Sequence, residues 1–170
     1  MFKKQKNVVY KSGAEEEEIK RDLSLKWVVM MLCTACIVLS VLMFMFFPLG
    51  NKVELPAFYL NTYVWICIFG IILITCGISL MLVTNQGANK KVFIYFLLCG
   101  LLVLGNLVCS HIFHLFYVSL FFSAVLLYVA FLLFHELRKT NFTAYYLFIP
   151  FVLFSVFNVI IYYFIAMLNW

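Results

Sequence analysis

Residues 90–139 read KKVFIYFLLCGLLVLGNLVCSHIFHLFYVSLFFSAVLLYVAFLLFHELRK, an apolar run closed by Lys90-Lys91 at one end and by Glu136, Arg138 and Lys139 at the other. These five are the only charged residues from Leu55 to Trp170. A charge at the bilayer centre costs about 2.5 kcal/mol or more, so such runs mark membrane spans and the charged clusters mark where the chain surfaces. A single helix from Val92 to His135 would be about 65 Å long, roughly twice the hydrocarbon thickness. The run therefore holds two spans, 92–112 and 115–135. The turn between them falls near Phe113 and His114, with His111 and His114 as the polar side chains that mark a water-facing break.

The same reading extends in both directions. Residues 27–47 form an apolar run about 31 Å long as a helix, ended by Pro48 to Glu54. Residues 56–83 follow, with Pro56 suited to a first helical turn, where its missing N–H costs nothing. Beyond the connection from Arg138 to Asn141, residues 143–168 form the last span, which Pro150 should bend. The expected fold is an all-α integral membrane protein, a five-transmembrane-helix bundle spanning residues 27–170, preceded by a charged tail, 1–26. That tail does not read as a cleaved signal peptide, because its polar residues precede an apolar run long enough to span. With five spans, eleven Lys and Arg residues fall on the N-terminal side and only Lys52 on the other. By the positive-inside rule the N-terminus is cytoplasmic.

Composition narrows the function. With 66% hydrophobic and 11% charged residues, the chain cannot hide its apolar surface in one soluble core, and membrane lipid is its natural partner. The net charge of +5 does not point to nucleic acid, because seven of the twelve basic residues precede Trp27, interleaved with Glu15 to Glu18. All six cysteines lie in apolar runs, where they behave as small packing residues rather than a disulfide framework. Cys33-x-x-Cys36 has no second pair near it, so no metal site is expected.

No Asp, Glu, Lys or Arg lies inside a span, and no catalytic motif is present, so no catalytic residue is assigned. Asn106 and Ser110 share a helix face at i and i+4, and an unpaired amide in hydrocarbon is costly, so Asn106 should face protein or a ligand. Trp65 and Phe69 share a face by the same spacing, as do Phe154 and Asn158. His111 and His114, at i and i+3, are either boundary residues or a pair able to reach one metal or haem iron. Tyr145, Tyr146, Tyr162, Tyr163 and Trp170 fit interfacial belts.

The stretch from Ala144 to Asn158, AYYLFIPFVLFSVFN, with Leu168-Asn169 beyond it, resembles the last helix of the TspO/MBR family, the translocator proteins and tryptophan-rich sensory proteins. That family's pattern is A-x-x-L-x-x-P-Y-x-x-W-x-x-F-A with a closing Asn. Asn106 to Phe113 is similar to its N-x-x-W-S-x-x-F element, and Val64 to Gly70 to its V-W-x-x-L-Y-x-x-M-G region. Trp65 and Asn106 match pocket residues of the family. Cys109 stands for the Trp of W-S, Phe154 for the last-helix Trp, and Asn158 for a small residue; the first loop keeps only Pro56 of its usual motif. The resemblance implies a membrane receptor for a tetrapyrrole, porphyrin or haem, or a similar flat hydrophobic ligand, with a transport or sensing role. No cofactor is obligatory in that reading. It also implies a bacterial plasma membrane location, a homodimer, and ligand-binding residues Trp65, Phe69, Asn106, Cys109, Phe154 and Asn158. Phe154 can stack on a macrocycle but lacks an electron-rich indole, so binding survives the substitution better than light-driven porphyrin degradation does. That weak enzyme, and a structural or partner-binding subunit contacting through Gly70, Gly77, Gly100 and Gly105, are the alternatives.

Overall fold

The computed structural model describes residues 27–28, 31–36, 38–40, 42, 45–46, 53–59, 61–86 and 89–170. A short apolar helix, α1 (Met31–Ser40), precedes four long ones: α2 (Thr62–Asn85), α3 (Lys90–Leu107), α4 (Phe116–Thr140) and α5 (Phe142–Leu168). A π-helical turn, Val108–Ile112, extends α3. Among the described residues there is no strand. The four long helices are long and apolar enough to cross a membrane. Their outward faces carry exposed Ile71, Ile74, Met81, Phe121 and Leu153, as lipid-facing surfaces do, and mark the chain as membrane-embedded. The tail 1–26 and seven of the 21 positions of the first expected span, 27–47, lie outside the described residues.

Asparagine caps set where three helices begin. The Asn61 side chain accepts from Tyr63 N (3.2 Å), Asn89 from Lys91 N (3.3 Å) and Asn141 from Ala144 N (2.9 Å). Each satisfies one of the N–H groups that a first turn leaves without an intrahelical partner. This corrects the expected start of the second span: Pro56 lies not in the helix but in a turn, where Tyr59 N donates to Pro56 O (2.8 Å). The other boundaries shift for a related reason. Lys90 and Lys91 are the first residues of α3, and α4 continues past His135 to Thr140, so the link to α5 shrinks from Arg138–Asn141 to Asn141 alone. Hydropathy reports where lipid ends, whereas a helix continues into the polar zone until a cap stops it. Arg138 and Lys139 then occupy the last turn of α4, where cations suit the helix dipole, and Lys139 pairs with Glu136 at 2.9 Å.

The break expected near Phe113 is present. Leu115 N donates to Cys109 O (2.9 Å), and His114 adopts φ 53°, a left-handed value that lets the chain reverse within a few residues. The two histidines do not both face outward, however. His114 is exposed, whereas His111 is buried. Within the wider π turn the side chains depart from the α-helical face, and His111 lies inward.

α5 packs against α2 and α4, and α4 packs against α3. It is the most buried of the long helices, and Pro150 lies inside it without ending it. Ser79 Oγ donates to Ala144 O (3.0 Å), tying α2 to α5. A Cβ at Gly100 would stand 3.3 Å from Cys36 Cβ, and one at Gly105 would stand 3.3 Å from the Phe122 ring, so these glycines allow close approach of α3 to α1 and α4. Gly70 and Gly77 meet nothing within 4 Å and make no such contact.

Segment 53–59 is strapped onto the end of α5. Glu54 N donates to Asn169 Oδ1 (2.8 Å), while Asn169 Nδ2 donates to Glu54 O (2.8 Å) and to Ile165 O (2.9 Å). Phe58 meets Phe164 edge to face, 5.2 Å between centroids. Asn169→Ala is expected to cost about 1–3 kcal/mol, the range for leaving paired backbone groups unsatisfied. Hydrogen exchange at the Glu54 amide should accelerate while that of mid-helix α5 amides does not, and equal exchange at Glu54 would show the strap is held by other contacts.

Candidate functional site

A polar node sits inside the apolar bundle where α3, α4 and α5 meet. Its centre is Ser123, whose Oγ–H donates to Ser119 O (2.9 Å), one turn back along α4. With its only proton committed, the same oxygen accepts from Asn106 Nδ2 and from Asn158 Nδ2, each at 3.1 Å. Beside it, Ser110 Oγ–H donates to Asn106 O (2.9 Å), with Leu107 O also in reach (3.2 Å). The Tyr162 hydroxyl lies 2.9 Å from Ser110 Oγ, a hydrogen bond in which either oxygen can donate. Serine hydroxyls inside helices characteristically donate to the carbonyl four residues back, so both are left as acceptors for neighbouring helices. Asn106, Ser110, Ser119, Ser123, Asn158 and Tyr162 are all buried.

Next to the node lies a cavity of about 20 Å³ lined by Tyr59, Trp65, Phe69, Asn106, Phe154, Asn158 and Tyr162, among others. Five of the six residues expected at a ligand site thus converge from α2, α3 and α5. The sixth, Cys109, is half-buried and does not line this cavity. The volume has room for about one water molecule, because the rings occupy the rest. Trp65 meets Phe154 edge to face (6.2 Å) and Phe157 at a tilt (5.8 Å), while Phe69 and Phe154 stand 4.9 Å apart. Burial, and secondarily the neighbouring Tyr162, push the Tyr59 phenol above its ordinary pKa, so its hydroxyl stays protonated.

Two further spaces share these walls. A cavity of about 90 Å³ lies behind Phe69 and Phe154, lined also by Cys33, Cys76 and Cys99. A groove of about 390 Å³ opens between α2 and α5 over Trp65, Ile71, Pro150, Leu153 and Phe154. Phe154 borders all three spaces, and Trp65 and Phe69 each border two.

Tyr59, Ser119, Ser123 and Tyr162 belong to the site without having been singled out for it. Tyr162 reads as a belt residue, but its spacing from Phe154 and Asn158, i+8 and i+4, places it on their face. Ser119 and Ser123, at i and i+4, carry the matching signal on α4. The structure places the two histidines differently, His111 buried and His114 exposed, and among the described residues there is no group of three or more His, Cys, Asp or Glu side chains that could hold a metal ion. The cysteines are free thiols.

No protein-family model matches the chain, and no curated protein matches it significantly in sequence.

Ser123→Ala removes the acceptor for two buried amides and should destabilise the bundle by about 1–3 kcal/mol. Asn158→Ala leaves Asn106 still bonded to Ser123 and should cost less, nearer the value of about 0.6 kcal/mol typical of interhelical bonds in lipid. Unfolding in mixed detergent micelles gives both values, and the reverse order would remove Ser123 from the centre of the node.

Proposed function

We propose that this chain is a TspO-like membrane receptor that binds a tetrapyrrole or similar flat hydrophobic molecule between α2 and α5. The observation that carries this reading is the shared wall: Phe69 and Phe154 border both small cavities, and Trp65 and Phe154 border both the smaller cavity and a groove that opens outward between those helices. Rotation of Phe154 and its neighbours would join the spaces into a volume of several hundred Å³, the size of ordinary small-molecule sites. The groove is apolar, as a lateral path from lipid would need to be. Aromatic rings supply stacking, and Asn106 and Asn158 supply the few polar groups that orient a ligand in a mostly apolar pocket.

In this reading the first apolar run, 27–47, completes five spans, with the N-terminus cytoplasmic in a bacterial plasma membrane. Alkaline phosphatase fused after Trp170 should be active, and the same enzyme fused after Asn89 inactive. The reverse pattern, activity after Asn89 and none after Trp170, would overturn the cytoplasmic N-terminus of the five-span reading.

Purified protein in lipid nanodiscs, titrated with protoporphyrin, should show saturable quenching of tryptophan fluorescence. Trp65→Ala should weaken the affinity by about tenfold, as expected for loss of a buried stacking ring. Quenching that matches empty nanodiscs would overturn the binding reading.

A further inference from the structure

Thiols from three helices meet at the cavity of about 90 Å³. Cys33 and Cys36 reach it from α1, Cys76 from α2 and Cys99 from α3. Cys33, Cys76 and Cys99 lie within electrostatic reach of one another. α1 and α3 also approach closely at this point. A Cβ at Gly100, the neighbour of Cys99, would stand 3.3 Å from Cys36 Cβ and 3.8 Å from its Sγ. Gly77, the neighbour of Cys76, meets nothing within 4 Å, so no such contact draws α2 against α1. All four cysteines are free.

The surroundings decide which chemistry these thiols can perform. Cys76 and Cys99 each stand nine residues from a polar helix end, Asn85 and Lys90 respectively. That is about 14 Å along the axis, near the middle of a hydrocarbon layer about 30 Å thick. The other polar side chains on the cavity wall are the hydroxyls of Thr34 and Ser40, and Ser40 already donates to Cys36 O (2.7 Å). Among the described residues no carboxylate, imidazole or amine lines this wall, so nothing there can take a thiol proton. Reactions that need the thiolate, such as exchange with water-borne disulfides, are therefore suppressed. Transfer of a whole hydrogen atom separates no charge, and hydrocarbon leaves that route open.

We propose that Cys33 and Cys99 form a radical-quenching pair for the lipid phase, giving hydrogen atoms to lipid peroxyl radicals and closing to a disulfide that joins α1 to α3. Each of two peroxyl radicals breaks one S–H bond and takes the hydrogen atom, becoming a hydroperoxide. The two sulfur radicals left behind join in one S–S bond. Two one-electron oxidations of sulfur balance two one-electron reductions of peroxyl oxygen, and no base takes part. The cavity gives the two side chains room to rotate toward each other. The close contact at Gly100 brings the backbones toward the Cα separation of about 4.4–6.8 Å that a disulfide needs.

The test treats the full chain, in nanodiscs of unsaturated phospholipid under air, with a lipid-soluble azo initiator, and a parallel sample with oxidised glutathione. Peptide mass spectrometry without reductant should find Cys33 linked to Cys99 in the first sample and not in the second. Cys67, exposed on α2 and away from the cavity, reports that radicals reached the protein and should be oxidised without an intramolecular link. Cys33→Ala and Cys99→Ala should each abolish the link, and Cys76→Ala should retain it. Loss of the link in Cys76→Ala with retention in the other two would overturn the choice of pair. A link formed as readily by oxidised glutathione would overturn the hydrogen-atom route. If Cys67 is oxidised while Cys33 and Cys99 still react with maleimide after unfolding, the proposal fails. That comparison uses the unsubstituted chain, so it stands even where a variant does not fold.

Discussion

One hydroxyl proton organises the interior of this bundle. Because Ser123 spends it on the Ser119 carbonyl within its own helix, its oxygen is available to accept from α3 and α5 together. In a hydrocarbon surrounding no water competes for these groups, and an amide that missed its partner would be stranded. The bond pair therefore restricts how α3 and α5 can be rotated against α4. The π turn after Leu107 serves the same arrangement. It carries Ser110 within reach of both the Asn106 carbonyl and Tyr162, so the polar strip on α3 meets α5 as well as its own backbone.

The apolar half of the site follows a different logic. Trp65, Phe69, Phe154 and Phe157 pack by edge-to-face and tilted contacts that fill the space between α2 and α5, and they also divide it. Polar bonds fix the floor of the site, whereas aromatic contacts line its walls. A ring can turn at modest cost when another flat surface replaces the one it leaves, but an amide cannot leave its acceptor so freely. This contrast makes Asn106 and Ser123 the fixed points of the site and Phe154 a side chain suited to movement. The strap formed by Asn169 and segment 53–59 holds Tyr59 against Trp65 on the same side (6.0 Å).

Much of this was legible in the chain itself. Paired spacing put Trp65 with Phe69, Asn106 with Ser110 and Phe154 with Asn158 on common faces, and each of these residues is buried at the helix junctions. The need for a break between residues 92 and 135 follows from length, and its place near Phe113 from the two histidines beside it. Ser119 and Ser123 were not legible as a centre, because a serine in an apolar helix can satisfy itself on its own backbone and gives no sign of serving two other helices. Tyr162 reads as interfacial in the sequence, since a tyrosine near the end of a span looks the same whether its hydroxyl meets headgroups or Ser110. Cys109, which entered only through the family resemblance, lies in the π turn and does not line the cavity.

By itself the sequence determined what any chain in hydrocarbon must obey: where charge is absent long enough for a helix to cross, and which helix faces carry groups that cannot be left to lipid. Those are local quantities, set by composition and by a period of 3.6 residues. The tertiary structure alone decided which acceptor each amide would find, which histidine would turn inward, and that the aromatic residues would meet one another rather than leave an open chamber. These outcomes depend on the rotation and depth of whole helices. Many side chains fix such quantities jointly, through the requirement that every buried donor and acceptor be matched as far as the fold allows.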